Sequence, residues 1–336
     1  MSPKSGLTIA IIGTTGNVGR KVVEMLVERN IVPDINLQLY ASKKSTGKNI
    51  QVKNHEWKVQ DTDNIDFSTI QLALFATDTD VSRQYVSRAL KNRTIVIDSS
   101  SLHRLDASVP LIVAPVNKHL VLTDNTRLYA IANCVSSPIA TVVAPLHCQH
   151  KVKRIIASTY QSTSGAGKDA MDELEHETMA LLQGKRFNRT SFKRQIAFNI
   201  IPQVDRIMED GFTYEEFKIM KEVQKIVGGK FSITATAVRV PVRIGHSISL
   251  SVEFDKEVSI KEVQALLANA TGVKLSNDEY STPVEVVGTD DVHVGRLRKD
   301  PSTEHGIQMW LCSDNLRRGA ATDMVEVAEE IIRQLK

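Results

Sequence analysis

Short apolar runs alternate with polar, helix-periodic stretches along the first 130 residues. Leu7–Ile12, Leu37–Tyr40, Leu72–Ala76, Thr94–Ile97 and Leu111–Val113 have the length and apolar content of buried strands. Between the first two, Val22, Met25 and Leu26 fall on one side of a helix starting near Val18. Strand and helix taken in turn predict a parallel sheet with crossover helices. Beyond residue 133 the texture changes. Ile248-Ser249-Leu250-Ser251-Val252-Glu253-Phe254 alternates with a period of two, which predicts a strand with one buried and one open face in an antiparallel or mixed sheet. From Ala320 to Leu335, Met324, Val327, Ile331 and Ile332 are spaced to bury one face of an amphipathic helix, expected to return to the first domain.

The pattern thus predicts an α/β chain of two domains. One covers 1–132 and is completed by a C-terminal helix, 316–336; the other covers 133–315 and is of α+β type with a mixed, largely antiparallel sheet. A chain of 336 residues is long enough to bury two cores. Lys plus Arg number 42 against 39 Asp plus Glu, scattered along the chain, which argues against nucleic acid or an anionic membrane as partner. The first apolar run meets Gly13 too soon for a signal-peptide core, and no run approaches the roughly 18 residues of a membrane span. Three cysteines cannot all pair, so a reducing cytoplasm is the expected setting and one thiol is available for chemistry.

Candidate chemistry begins at Gly13-Thr14-Thr15-Gly16-Asn17-Val18-Gly19, directly after a strand and directly before a helix. Glycine is required where the backbone turns sharply or must approach a pyrophosphate, and the helix start offers unpaired N–H groups. This predicts a Rossmann-like, dinucleotide-binding domain contacting its cofactor through Gly13, Thr15, Gly16, Asn17, Val18 and Gly19. The spacing is Gly-x-x-Gly-x-x-Gly, and a merely structural turn is the bland alternative. After the next strand, Tyr40-Ala41-Ser42-Lys43-Lys44-Ser45 lacks the acid that binds an NAD ribose. Lys44 and Ser45 suit a 2′-phosphate, so NADP is expected; a solvated basic loop is the alternative.

Cys134 lies where the apolar run Tyr129–Ala132 gives way to small polar residues and then to the helix-like stretch Ile139–Leu146. At a helix start the thiolate, the reactive form, is stabilised. Taken alone, a cysteine is more often a small buried hydrophobe. His246, read as lying on a turn between two strand-like runs, could move a proton for that thiol. Ser162-Thr163-Ser164-Gly165-Ala166-Gly167 leads from the strand Ile155–Tyr160 into a helix bearing Met171, Leu174 and Leu181, and offers another backbone approach to a ligand. His147-Cys148-Gln149-His150 has metal-donor side chains but no matching second cluster, so no metal is expected.

These motifs, in this order, resemble aspartate-semialdehyde dehydrogenase of the bacterial type over nearly the whole chain. The carriers are residues 13–19, Asn133-Cys134, Gln161 to Gly167, Ile196 to Gln203, Arg239-Val240-Pro241-Val242, Gly245-His246-Ser247, Val294-Gly295-Arg296 and Ser313-Asp314-Asn315-Leu316. The resemblance implies NADPH-dependent reductive dephosphorylation of L-4-aspartyl phosphate to L-aspartate 4-semialdehyde and phosphate, in lysine and diaminopimelate, methionine and threonine biosynthesis. It implies Cys134 as the nucleophile that forms a thioester, His246 as general acid and base, and Gln161 as the residue orienting the acyl group. Arg239 would grip the substrate carboxylate, Arg104 and Lys218 the phosphate, and Glu215 the amino group. Without the resemblance, Lys218 with Lys221 and Lys225 would read as a solvated helix face. Ser164, Gly165 and Asn315 would contact the cofactor, and the second domain would build a homodimer, with tetramers as a further assembly.

Three departures from the family pattern stand out: Val135-Ser136-Ser137-Pro138 after the cysteine, the acidic loop Thr77-Asp78-Thr79-Asp80, and Ile248 where a Glu is usual. The enzymatic rival is N-acetyl-γ-glutamyl-phosphate reductase, which lacks the Arg239 to His246 pattern. The rival from another class, an inactive paralogue serving as a binding subunit, typically loses the thiol.

Overall fold

The structure, a computed structural model, describes residues 6–32, 35–121, 126–276 and 279–335. Residues 1–5 and Lys336, the outer ends of the expected domains, lie outside the described residues. Two compact units form, one from the chain up to Ala132 together with Ala320 onward, the other from Asn133 to Gly319.

The first unit runs β1 (Leu7–Ile12), α1 (Asn17–Glu28), β2 (Ile35–Ala41), β3 (Asn49–Val52), β4 (His55–Lys58), β5 (Gln60–Asp61), β6 (Leu72–Phe75), α2 (Thr79–Lys91), β7 (Ile95–Asp98), β8 (Leu111–Ile112), α3 (Ala114–Asn117) and β9 (Leu128–Ile131). Its main sheet has the order β5-β2-β1-β6-β7-β9-β8 with parallel pairing throughout. Ile9, Ile11, Leu72, Leu74 and Ile97 pack on one face with α1, while Ala10, Ile12, Ala73, Phe75 and Val96 pack on the other with Tyr85, Val86 and Ala89 of α2. Both faces are covered, which is why these strands read as continuous apolar runs. The sequence pattern missed β9, read as an apolar approach to Cys134, and the hairpin β3–β4, whose alternate residues are exposed.

The second unit runs α4 (Ser136–His150), β10 (Val152–Gln161), α5 (Lys168–Leu182), α6 (Tyr214–Val227), β11 (Ser232–Arg239), β12 (His246–Phe254), α7 (Ile260–Ala268), β13 (Val273–Leu275), α8 (Pro283–Val286), β14 (Val292–Lys299) and β15 (Gly306–Ser313). The sheet order is β11-β10-β12-β15-β14-β13; β10–β11 and β13–β14 are parallel, the other pairs antiparallel. Ile248, Leu250, Val252 and Phe254 of β12 face a core with Val135, Ile139, Val142 and Val143 of the α4 segment and Ile219 and Val223 of α6. Ser249, Ser251 and Glu253 turn to the open face, as the period of two predicts. That face also carries Ile156, Tyr160 and Trp310, the last two in ring contact at 5.5 Å. The last helix, α9 (Thr322–Leu335), packs in the first unit: Met324, Val327, Ile331 and Ile332 join the α1 core, and Glu329 pairs with Arg29 at 2.8 Å. No described helix is long and apolar enough to cross a membrane.

Candidate active site

In the first unit, β1 pairs with β2 on one side and β6 on the other, so the strand order reverses there, and in open α/β sheets the carboxyl ends at such a reversal are where ligands bind. Gly13 turns the chain there with φ +88°, donating to Tyr40 O at 2.9 Å. Thr14 braces the turn from beneath, its N–H and hydroxyl both reaching Tyr40 O at 3.1 Å. A Cβ on Gly13 would lie 2.3 Å from Ala76 O, and one on Gly19 2.2 Å from Gly13 O. Those two glycines serve close packing, whereas Thr15 and Gly16 are exposed. Helix α1 begins on Gly16 with no side-chain cap and no acid in its first turn. An uncapped helix start behind an open glycine fits a pyrophosphate.

Lys43 and Lys44 are exposed after β2 and make no ion pair among the described residues, while Ser45 is buried in a 3₁₀ turn, its N–H on Ser42 O. The acidic loop has a structural explanation. Asp78 caps α2, accepting from the Asp80 and Val81 N–H groups at 3.0 Å, and Asp80 pairs with Arg83. Arg104, in the turn after β7, is nearly buried and donates to Ser99 O at 2.6 Å.

In the second unit, sheet register assembles the other candidates. Gln161 ends β10 opposite Arg239, which ends β11, and Tyr160 pairs with Ser247, so His246 opens β12 at the same level. His246 thus begins a strand instead of lying on the turn; Gly245, with φ +98°, makes the turn. On the far side His246 pairs with Ser313, which places Asp314 and Asn315 at the same end of the sheet.

Cys134 sits in the turn that leads into α4. Asn133 O accepts from Ser137 N–H at 2.9 Å and Asn133 Oδ1 from Val135 N–H at 2.8 Å, so Asn133 ties down the turn that enters α4, and the thiol stands just ahead of the first helical residue, Ser136. The unusual Val135-Ser136-Ser137-Pro138 therefore builds an ordinary helix start: Val135 is buried in the core and Pro138 falls in the first turn, where its missing N–H costs nothing. The Asn133 main chain donates to Glu222 at 2.7 Å and its side-chain amide to Glu215 at 3.0 Å.

Glu215 gathers several candidates. It accepts from Asn133 and from Gln161 Nε2 at 3.2 Å, and pairs with Lys218 at 2.8 Å. Burial opposes its charge, but Lys218 together with the two amides outweighs burial and holds the carboxyl below the usual range. Lys218 is not on a solvated face: it lies between Glu215 and Asp205 and over the Tyr214 ring. The helix start is fixed by a capping box between Thr213 and Glu216, and Glu216 also accepts from Ala237 N–H of β11 at 2.8 Å.

Arg239 is buried, donates to Ser162 O at 2.6 Å and, among the described residues, has no carboxylate within ion-pair distance. Burial lowers its pKa, with Glu215 and Cys134 acting the other way. His246 is fully enclosed. Its Nδ1 accepts from Ser162 N–H at 3.1 Å, with Ser162 Oγ at 3.0 Å. An amide N–H can only donate, so the neutral ring carries its proton on Nε2. That atom is buried without a partner among the described residues and lies against Gly165, whose hypothetical Cβ would be 3.1 Å from it and 3.2 Å from Arg239 Nη1. Burial, reinforced by Arg239, drops the His246 pKa to about 3. Asn315 Oδ1 accepts from Gly245 N–H at 2.9 Å and from the hydroxyls of Ser162 and Ser164 at 3.1 and 3.0 Å, holding both turns around His246.

Cys134, Gln161, Ser164, Gly165, Glu215, Lys218, Arg239, His246 and Asn315 thus share one unit and are joined by hydrogen bonds, ion pairs, close packing or electrostatic coupling. Gly13 to Gly19, Lys44, Ser45 and Arg104 belong to the other. Sequence reasoning gave no role to Glu222 or to the Ser162 N–H. Glu222 had a signal: it stands seven residues after Glu215, in phase with Ile219, Val223 and Ile226 on the buried face of α6. Ile248 is a core residue paired with Thr159.

Family models agree with this division. One described as "Semialdehyde dehydrogenase, NAD binding domain" matches residues 8–123, and one described as "Semialdehyde dehydrogenase, dimerisation domain" matches 143–318. The chain is 42% identical over 329 residues to aspartate-semialdehyde dehydrogenase of Rickettsia conorii, covering 96% of this chain and 97% of that protein. To the protein of the same name from Aquifex aeolicus it is 41% identical over 338 residues, covering 98% and 99%. Among solved structures, aspartate semialdehyde dehydrogenase II complexed with ASA from Vibrio cholerae superposes with a TM-score of 0.95 at 36% identity, covering 99% of this chain and 100% of that one. With both family models matched and relatives alike over nearly their full length, the chain belongs to the aspartate-semialdehyde dehydrogenase family.

Proposed function

We propose that the chain catalyses NADPH-dependent reductive dephosphorylation of L-4-aspartyl phosphate to L-aspartate 4-semialdehyde and phosphate, through a thioester on Cys134. The observation that carries this reading is the grouping of a thiol at a helix start with a buried, unpaired Arg239 and an enclosed His246. The Cys134 thiolate attacks the acyl carbon; a C–S bond forms and the C–O bond to phosphate breaks, phosphate leaving with the electron pair. Arg239 presents a planar two-pronged donor to the substrate's α-carboxylate. Gln161, held by Glu215, orients the acyl group, and Glu215 offers its remaining capacity to the amino group. His246, with its proton on Nε2, acts as a hydrogen-bond donor to the carbonyl oxygen as negative charge develops there. While Ser162 N–H occupies Nδ1, the ring has no lone pair to spare for the thiol. The resemblance suggested an acid and base; the proposal is a fixed donor. Arg104 and Lys218 offset the charge of the departing phosphate.

The Gly13–Gly19 turn would hold the cofactor, with Ser164, Gly165 and Asn315 as a second group of contacts; when bound it would supply the hydride that reduces the acyl group, the C–S bond breaking so that the Cys134 thiolate is returned. NADP is favoured by Lys43 and Lys44, exposed and unpaired where an acid would bind an NAD ribose. Replacing both lysines with Ala is expected to raise the KM for NADPH about 10-fold or more while leaving NADH use nearly unchanged. A parent enzyme that prefers NADH would overturn the assignment. The open sheet face with Ile156, Tyr160 and Trp310 supports a homodimer through the second domain, with tetramers as a further assembly. The enzyme would serve lysine and diaminopimelate, methionine and threonine biosynthesis in the cytoplasm.

The substrate is tested by following NADP reduction with aspartate semialdehyde and with N-acetyl-glutamate semialdehyde, each with and without phosphate. Phosphate-dependent turnover of the first alone is expected. Turnover of the second at a comparable rate would move the chain to the rival activity, and turnover of neither would make it an inactive paralogue.

A further inference from the structure

Gly319 has no role in the proposed reaction, yet it packs closely against the nucleophile's main chain. It lies in a π turn, Arg317–Ala321, with φ +85°. Single π turns of this kind are frequent at functional sites. A Cβ placed there would stand 2.4 Å from Cys134 Cα, 3.0 Å from its carbonyl carbon and 3.1 Å from its oxygen, all backbone atoms. Side chains of that size essentially never come so close, so one of the two segments would have to yield.

Neither segment is loose. On the Gly319 side, Asp314 accepts from Leu316 N–H and Gly288 N–H at 2.9 Å, and Asp314 O accepts from Arg317 N–H at 3.0 Å. Arg317 Nε donates to Asp290 Oδ1 at 2.7 Å, and Arg318, almost fully buried, donates to Asp290 O at 2.8 Å. On the other side, Cys134 is flanked by Asn133, fixed by Glu222, Glu215 and Val135. The same short segment carries Asn315, which holds the turn before His246. Thiol and imidazole are therefore referenced to one strap of chain.

We propose that Gly319 is a positioning residue for the nucleophile, backing the Cys134 main chain so that the strap from Asp314 to Gly319 sets the place of the thiol relative to His246. This rests on the reading of Cys134 as the nucleophile. Gly319→Ala is compared with Gly211→Ala and Asp290→Ala in the full chain. Gly211 is a matched control: its φ is also +85°, it is exposed, and nothing lies within 4 Å of its would-be Cβ. Asp290→Ala slackens the strap without a clash.

The readouts are kcat, the KM values for aspartate semialdehyde and NADP, and the rate of Cys134 alkylation by iodoacetamide across pH, with the labelled peptide identified by mass. Gly211→Ala is expected to stay within about twofold of the parent throughout, as a solvent-exposed site should. Gly319→Ala is expected to lose about 100-fold in kcat, the cost of misplacing a reacting group by about an ångström, with the NADP KM nearly unchanged and a displaced alkylation profile. Asp290→Ala should move kcat and the profile in the same direction by about 10-fold or less. Parental kcat and alkylation in Gly319→Ala, or an equal loss in Gly211→Ala, overturns the proposal. If Gly319→Ala does not fold, Asp290→Ala decides, and a parental alkylation profile there overturns it too. Failure of the underlying reading looks different: Cys134→Ala would then retain turnover, whereas a dead Cys134→Ala beside an unaffected Gly319→Ala removes the role of Gly319 alone.

Discussion

Cys134→Ala is expected to lower phosphate-dependent NADP reduction by aspartate semialdehyde on the order of 10⁴-fold or more, with cofactor binding and fold intact. The size follows from the proposed covalent chemistry: without the sulfur there would be no thioester, and Arg239, Gln161 and His246 would bind and polarise the substrate with nothing to attack it. Retention of fold follows from the location. Cys134 is only partly buried at the edge of the second core, and the turn it occupies is held by its neighbours, through Asn133 to Glu215, Glu222 and Val135. Stability is therefore expected to change by no more than about 1 kcal/mol, checked by thermal unfolding. Turnover within tenfold of the parent would remove the covalent step.

His246→Asn carries the second largest effect, and separates two roles for the ring. As the proposed fixed Nε2–H donor to a developing oxyanion, His246 is expected to contribute about 10²–10³ in kcat, and its loss to leave alkylation of Cys134 near the parental rate. Were His246 the base that ionises the thiol, alkylation near neutral pH would fall in step with turnover. Stability gives an independent reading of the same environment. An unfolded chain takes up a proton at this ring near pH 6.5, whereas the folded ring stays neutral down to about pH 3. Between those values the unfolded state binds more protons, so stability falls with falling pH at up to about 1.4 kcal/mol per unit from this group. His246→Asn should flatten that slope relative to the parent in urea titrations; an unchanged slope would mean that the ring is accessible to protons in the fold.

Much of the architecture was legible because local and global constraints coincide. Leu7–Ile12 and Leu72–Phe75 are apolar without a break since helices cover both faces of the first sheet, and β12 alternates since one face of the second stays open. The glycine turn was legible because Gly13 and Gly19 are dictated by backbone approaches of 2.3 and 2.2 Å that no other residue tolerates. What escaped depended on contacts between distant segments. His246 looked like a turn residue because its pairing with Ser313 is invisible locally, and its tautomer is set by Ser162, 84 positions away in the chain. Lys218 looked solvated because its carboxylate partners come from another turn of α6 and from Asp205. Asp78 and Asp80 looked out of place beside a dinucleotide because a helix start at Thr79 gives them a different task. Gly319 carried no signal at all, being defined only by the backbone it touches.

The central claim is that Cys134 carries the acyl group between phosphate and hydride chemistry. It is tested most directly by mixing the enzyme with aspartate semialdehyde and NADP while withholding phosphate. A single rapid burst of about one NADPH per active chain is expected, leaving an aspartyl thioester on the Cys134 peptide that added phosphate discharges. Steady turnover without phosphate, no burst, or an acyl group found on Cys148 or Cys312 would contradict the account.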